Sequence, residues 1–187
     1  TLIGVRRCGK TSIFYHMINQ LIEKIEKTKK QFLNFEDERF ELNSDELDLI
    51  LQAYMELYPS YKLSECYFFF DEIQNIPNWE KFIRRMYDTI SKNIFITGSN
   101  SKLLSSEIAT SLRGRTLNFE IFPLSFKEYL SFKDIEVDFY SSKSLAFIKN
   151  AQESFLKNGS FPEILFLEEI YANILYAGHI CKYRVAG

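Results

Sequence analysis

Two glycines, a lysine and two hydroxyl side chains lie close together near the start of the sequence. In "GVRRCGKTS", four residues separate Gly4 from Gly9, and Lys10, Thr11 and Ser12 follow directly. This is the G-x-x-x-x-G-K-[ST] spacing, in which backbone N–H groups at a helix N-terminus surround the phosphates of a nucleotide. The lysine neutralises the β- and γ-phosphates, and the threonine hydroxyl binds Mg²⁺. The spacing therefore predicts a nucleoside triphosphate site.

The glycines of this loop have a conformational role in the prediction. We expect Gly4 and Gly9 to allow a positive φ and a close approach of the backbone to a phosphate. The alternative is a chance turn before a helix, but a loop between a strand and a long amphipathic helix favours phosphate binding. The residues predicted to contact the nucleotide are Gly4, Arg6, Arg7, Cys8, Gly9, Lys10, Thr11 and Ser12.

Two carboxylates follow a continuous apolar run in "CYFFFDE", residues 66–72. Such a run is typical of a parallel strand that is buried on both faces. Asp71 and Glu72 would then lie at the carboxyl edge of the sheet, where ligands bind in open α/β folds. We predict that Asp71 holds Mg²⁺ and that Glu72 polarises water for attack on the γ-phosphate. The alternative is a pair of solvated acids at a strand end.

A second apolar strand ends in the small polar residues "TGSN" at 97–100. Ser99 or Asn100 would lie beside the phosphates and hydrogen-bond the γ-phosphate or the attacking water. The alternative is a strand-to-helix turn in which Ser101 is the N-cap.

Two arginines, Arg113 and Arg115, precede the last predicted strand. Either is a candidate arginine finger, which supplies positive charge to the γ-phosphate bound by a neighbouring molecule. The alternative is a pair of surface arginines near a helix C-terminus, where cations are favoured.

Predicted strands and helices alternate along the first two thirds of the chain. Strands are predicted over 31–35, 66–72, 93–100 and 116–122, and helices over 10–29, 45–58, 78–91 and 101–112. This alternation predicts an α/β fold with a parallel sheet and helices on both faces, over residues 1–122. Residues 123–187 are predicted to form a small, incomplete helical lid region, with a capping box at Ser125 and Glu128 and a helix over 143–158.

Composition restricts the class of protein. The 187 residues are 46% hydrophobic with a net charge of −2, which supports a packed core and does not support nucleic-acid binding by this segment. The three separated cysteines form neither a disulfide framework nor a metal-binding spacing, so a cytoplasmic location is predicted. No apolar run reaches membrane-spanning length. The chain has no initiator Met, and we expect it to be truncated at both ends.

Several segments together resemble the archaeal-type ATPase family of the AAA+ class: "GVRRCGKTS", "FFFDEIQNIPNWEKFIRRMYD", "FITGSNSKLLSSEIATSLRGRTLNFEIFPLSFKEYL" and "FPEI". The resemblance covers nearly the whole chain. It implies a three-layer P-loop NTPase fold with a five-stranded sheet in the order 5-1-4-3-2, and ATP as the nucleotide.

The resemblance also implies roles for single residues. Lys10 and Thr11 would be Walker A, and Asp71 and Glu72 would be Walker B. Ser99 and Asn100 would be sensor-1 candidates, and Arg115 would hold the position of the arginine finger. The residues predicted to take part in catalysis are therefore Lys10, Glu72, Asn100 and Arg115.

The main functional hypothesis is Mg²⁺-dependent ATP hydrolysis, with self-association that brings an arginine finger to a neighbour's site. A nucleotide-gated switch with slow turnover would share every binding residue. A P-loop kinase would need an arginine-rich lid, and Arg184 alone in the tail counts against it. A non-enzymatic interaction module would be insensitive to ATP.

Overall fold

A computed structural model describes residues 1–22, 25–37, 46–99, 110, 112 and 114–166 of the chain. The chain divides into two compact units, Thr1–Ile121 and Phe122–Gly187. The strands of the first unit are β1 (Leu2–Gly4), β2 (Lys30–Asn34), β3 (Tyr67–Asp71), β4 (Ile94–Ser99) and β5 (Phe119–Ile121). Its described α-helices are α1 (Lys10–Ile22), α2 (Leu47–Leu57) and α3 (Trp79–Thr89), and short 3-10 helices lie at Lys27–Lys29, Leu63–Glu65 and Ile73–Asn75.

The strands form one parallel sheet in the order β2-β3-β4-β1-β5. Read from the other edge, this is the predicted order 5-1-4-3-2, so the predicted α/β fold class is confirmed. The register brings the carboxyl ends of neighbouring strands together, because Gly4 pairs with Ser99 and Asn34 pairs with Asp71. The loops that follow these residues therefore leave the sheet at one edge.

The central strand β3 is covered on both faces because its phenylalanines alternate. Phe68 and Phe70 belong to the main core cluster, in which the ring of Phe70 meets Phe82 of α3 at 6.1 Å. Phe69 points to the opposite face and meets Phe14 of α1 at 5.4 Å. Each fully buried phenylalanine stabilises the fold by roughly 1.5–3 kcal/mol. The sheet is therefore the middle of three layers.

The third helix shows why these segments become helical. Its apolar residues recur at helical spacing, and Trp79, Phe82, Ile83 and Met86 are all buried. Charged residues occupy the other face, so one side of α3 packs on the sheet and the other side is in contact with solvent.

Two predicted elements differ most from the observed ones, whereas the other described helices and strands of the first unit agree to within one or two residues at each end. Helix α1 ends at Ile22, not at 29, because the chain must turn back before β2 begins at Lys30. Strand β5 covers Phe119–Ile121, not 116–122, because β1 offers only three residues for it to pair with. The predicted helix over 101–112 falls outside the described residues except for 110 and 112.

The second unit contains α4 (Phe126–Phe132), α5 (Ser142–Asn158) and a 3-10 helix at Pro162–Phe166. The predicted capping box is confirmed, because Ser125 Oγ accepts from the Glu128 backbone N–H at 3.3 Å and Glu128 Oε2 accepts from the Ser125 N–H at 2.7 Å. Tyr129, Leu130 and Ala151 form a small core of their own. The predicted helical tail beyond residue 166 lies outside the described residues, and the lid role stays a prediction.

Candidate phosphate-binding site

The loop between β1 and α1 has the conformation of a tight turn that leads into a helix. Gly9 has a φ of 98° and Arg7 a φ of 67°. Left-handed backbone is free of penalty for glycine but costs roughly 1–2 kcal/mol for other residues, and such strain is found at functional sites. The first turn of α1 closes where the Ile13 N–H donates to Gly9 O at 3.0 Å. The N–H groups at the start of a helix, which lack partners within the helix, favour an anion.

Gly4 is required for a different reason from the one predicted. Its φ is not positive, so the expectation of a left-handed turn there is wrong. A Cβ at this position would lie 2.3 Å from the carbonyl oxygen of Ile121 and 2.7 Å from Cys8 Sγ. Glycine is needed because β5 and the loop approach the end of β1 too closely for any side chain.

The ammonium group of Lys10 lies inside the loop. The residue is 4% exposed, and its Nζ donates to the carbonyl oxygens of Gly4 and Val5, both at 3.0 Å. Glu72 Oε1 lies 3.8 Å from the same nitrogen. A buried cation must be compensated by acceptors of this kind, so Lys10 holds the end of β1, its own loop and the acid after β3 together.

Hydroxyl groups from α1 and from β4 meet at the carboxylate of Asp71, the last residue of β3. The hydroxyl of Thr11 donates to Asp71 Oδ2 at 2.8 Å, and the hydroxyl of Thr97 donates to Asp71 Oδ1. Thr97 Oγ1 also accepts from the Glu72 backbone N–H at 3.0 Å. Asp71 is 1% exposed and Thr97 is fully buried. This arrangement fixes Asp71 and the backbone of Glu72 as one unit.

The donor set fits Mg²⁺. Within the described ranges, no group of three or more His, Cys, Asp or Glu side chains is placed to hold a metal ion. Magnesium bound with a nucleotide does not need such a cluster, because it takes one or two protein oxygen ligands beside the phosphates and water. The hydroxyl of Thr11 and the carboxylate of Asp71, already in contact, are oxygen ligands of this kind.

Glu72 is held by both its backbone and its side chain. Its φ of 52° is left-handed, which turns the chain sharply at the end of β3. Besides the contact with Lys10, its Oε2 accepts a hydrogen bond from Gln74 Nε2. Neither Gln74 nor Thr97 was predicted from the sequence to belong to the site. The sequence offered a signal for Thr97, because it is a polar residue in an apolar strand, but its contact with Asp71 depends on the strand order. The sequence offered no such signal for Gln74.

The other loop residues predicted to contact the nucleotide differ in their exposure. Cys8 is buried, and burial raises the pKa of its thiol, against the opposing effect of the Lys10 charge. Arg6, Arg7 and Ser12 are exposed, and the guanidinium of Arg6 forms an ion pair with Glu36 after β2. Their contacts to a nucleotide stay predictions.

Arg115 is not close to Lys10 of its own chain. Its Nε donates to Asp88 Oδ1 at 2.8 Å, and this hydrogen bond lowers the pKa of Asp88. Arg115 precedes β5, whose Phe119 N–H donates to the carbonyl oxygen of Thr1, the residue before β1. Arg115 therefore lies at the amino edge of the sheet, opposite the phosphate-binding loop.

The two remaining sequence predictions concern polar residues near the last strands. Ser99 ends β4 and pairs with Gly4 across the sheet, so it lies at the same edge as the loop. Asn100 and Arg113 lie outside the described residues, and their roles stay predictions.

Comparison with known proteins agrees with this geometry. The family described as "AAA domain" matches residues 1–130. The chain belongs to the AAA domain family. Membership indicates nucleotide binding of the ATPase type.

Two similar proteins come from different organisms. The uncharacterized protein MJ1544 of Methanocaldococcus jannaschii is 46% identical over 170 residues, which are 90% of this chain and 36% of that protein. An uncharacterized protein of Haemophilus influenzae is 33% identical over 176 residues, 94% of this chain and 42% of its own length. The chain thus spans less than half the length of these curated relatives. No described helix is long and apolar enough to cross a membrane.

We predict that Thr97→Val destabilises the protein by about 1–3 kcal/mol, because Asp71 Oδ1 loses its donor and the Glu72 N–H its acceptor in a buried place. Urea unfolding measures the difference. The matched control is Thr89→Val, which removes an exposed hydroxyl bonded to the Arg85 carbonyl oxygen and should change stability by less than about 0.5 kcal/mol. Equal effects of the two substitutions would show that the Thr97 hydroxyl does not organise the acids.

Proposed function

We propose that this chain binds ATP together with Mg²⁺ and hydrolyses it. The observation that carries the proposal is the position of Lys10, whose ammonium joins the loop carbonyls to Glu72. ATP as the nucleotide rests on the family and on the resemblance to archaeal-type ATPases. A cytoplasmic location is part of the same proposal.

Each residue of the site has a separate task in this proposal. The N–H groups at the start of α1 bind the phosphates, and Lys10 neutralises their charge. Thr11 and Asp71 hold Mg²⁺, which neutralises the charge that develops on the phosphate oxygens. Glu72 orients a water molecule and accepts its proton. The water oxygen forms a bond to the γ-phosphorus while the bond from that phosphorus to the bridging oxygen of ADP breaks, so the products are ADP and phosphate.

The closeness of Glu72 to Asp71 favours hydrolysis over binding alone. Thr97 ties the backbone of Glu72 to the Asp71 carboxylate, so a water-polarising group is fixed beside the metal ligand. A slow nucleotide-gated switch would use the same binding residues. The two functions differ only in the rate of turnover.

We predict that Glu72→Gln lowers ATP turnover roughly 100-fold or more, because an amide cannot accept the proton of the water. ATP binding should be retained, since Gln keeps the size of the side chain. The measurement is Mg²⁺-dependent phosphate release, with ATP affinity measured separately. Glu56→Gln, at an exposed acid on α2 that accepts from Gln52, is the matched control and should leave turnover unchanged. ATP binding by the wild type without turnover would favour the switch.

We propose that Arg115 acts in trans, at the phosphate site of a neighbouring molecule, because the topology separates it from the loop of its own chain. We predict that specific activity rises with protein concentration and that Arg115→Ala lowers it. A mixture of Arg115→Ala and Glu72→Gln molecules should be more active than either alone, because one supplies the intact Glu72 and the other the arginine. Arg85→Ala is the control, since it removes another exposed ion pair, with Asp48. Activity independent of concentration, with no gain on mixing, would contradict the trans role.

A further inference from the structure

Gln74 lies on a rigid turn directly after Glu72. The 3-10 helix Ile73–Asn75 is anchored by Ile73, which is fully buried, and by Ile76, which is 2% exposed. The Asn75 N–H donates to Glu72 O at 3.1 Å, and the Asn75 side chain donates to Phe35 O at 3.1 Å, which ties the turn to the end of β2. The backbone of Gln74 is therefore fixed relative to the acid that precedes it.

The side-chain amide of Gln74 is only half satisfied. Its Nε2 donates to Glu72 Oε2, whereas its Oε1 is buried and has no hydrogen-bond partner within the part of the chain that the structure describes. A buried carbonyl oxygen that accepts no hydrogen bond from the protein does not add to the stability of the fold. An apolar side chain of similar size would carry no such oxygen. The amide is thus better explained by the hydrogen bond that its Nε2 donates to Glu72 than by a contribution to stability.

The contact with Gln74 completes the orientation of the Glu72 carboxylate. One oxygen, Oε1, lies 3.8 Å from Lys10 Nζ, and the other, Oε2, accepts from Gln74. A glutamate side chain has three rotatable bonds, so a single contact would leave its plane free to turn. Contacts to both oxygens fix the plane, and groups that hold a reacting side chain in this way preserve its productive geometry.

We propose that Gln74 is a positioning residue of ATP hydrolysis, which acts by holding the carboxylate of Glu72 through its Nε2. This proposal rests on the proposed function. It adds that the residue two positions after Glu72 sets the rate of the chemical step and has no part in nucleotide binding.

The first test is Gln74→Met, which keeps the length of the side chain and removes the amide. We expect kcat to fall roughly tenfold to a hundredfold, by analogy with the loss of groups that orient the ligands of a metal ion. The affinity for ATP should not change, and the midpoint of thermal unfolding should stay equal or rise, because the unpaired Oε1 is gone. A packing role predicts the opposite: a lower midpoint with kcat per folded molecule unchanged.

The matched control is Gln52→Met. Gln52 also donates its amide to a glutamate, Glu56, but on the exposed face of α2. The Gln52→Met substitution should leave kcat and the affinity for ATP as they are in the wild type. If Gln74→Met folds poorly, Gln74→Asn retracts the amide by one methylene and is expected to show the same loss of kcat.

The second test places Gln74→Met in the Glu72→Gln background. If Gln74 acts through Glu72, the double variant is no slower than Glu72→Gln alone, because there is no carboxylate left to position. If the wild type is active but Gln74→Met has the same kcat, or if the losses of the two substitutions add in the double variant, the proposal for Gln74 is overturned and the proposed function stands. A wild type that binds ATP without turnover would overturn the proposed function, and the proposal for Gln74 with it.

Discussion

The ammonium group of Lys10 is buried, and a buried cation is stable only where acceptors surround it. Here the acceptors come from the end of β1 and from the acid that follows β3, two strands that are separated in the sheet by β4. The conformation of the loop, the glycine at position 4 and the left-handed turn at Glu72 all serve to bring these groups together. Phosphates would compete with these acceptors for the Lys10 ammonium group, and this is where we propose that the nucleotide binds.

A second network of hydrogen bonds, around Asp71, holds the acids that the Lys10 network depends on. Thr97 lies on β4, between the strands that carry the loop and the acids, and its hydroxyl donates to Asp71 and accepts from Glu72. Because Thr97 and Asp71 are both buried, these hydrogen bonds are shielded from water and hold the acids in one position. Packing of Phe14 on Phe69 and of Phe82 on Phe70 keeps β3 itself in place from both faces. The site residues thus lie at the end of β3, in the turn that follows it and at the start of α1, and the packed strands hold these segments in place.

Local patterns in the sequence predicted the α/β class with a parallel sheet, and the resemblance to archaeal-type ATPases implied the strand order; both are confirmed. The roles of the phosphate-loop residues follow from a known spacing and stay predictions. The sequence could not predict why Gly4 is glycine, because the reason is the carbonyl oxygen of Ile121, far along the chain. Helix α1 and strand β5 were predicted too long, because turns and partner strands determine where they end and the periodicity of apolar residues does not. Gln74 and Thr97 were missed because their importance lies in contacts across or beside the sheet, which no spacing in the sequence reveals.

The most direct test of this account is the stability of the wild type and of Lys10→Met with and without Mg²⁺ and ATP, with exposed Lys81→Met as the control. ATP at about 100 times its Kd should raise the free energy of unfolding of the wild type and of the control by about 2.7 kcal/mol. The Lys10→Met variant should gain little from the same ATP, because its phosphate site has lost its cation. An equal gain in Lys10→Met, or none in the wild type, would contradict the claim that this network is a nucleotide site.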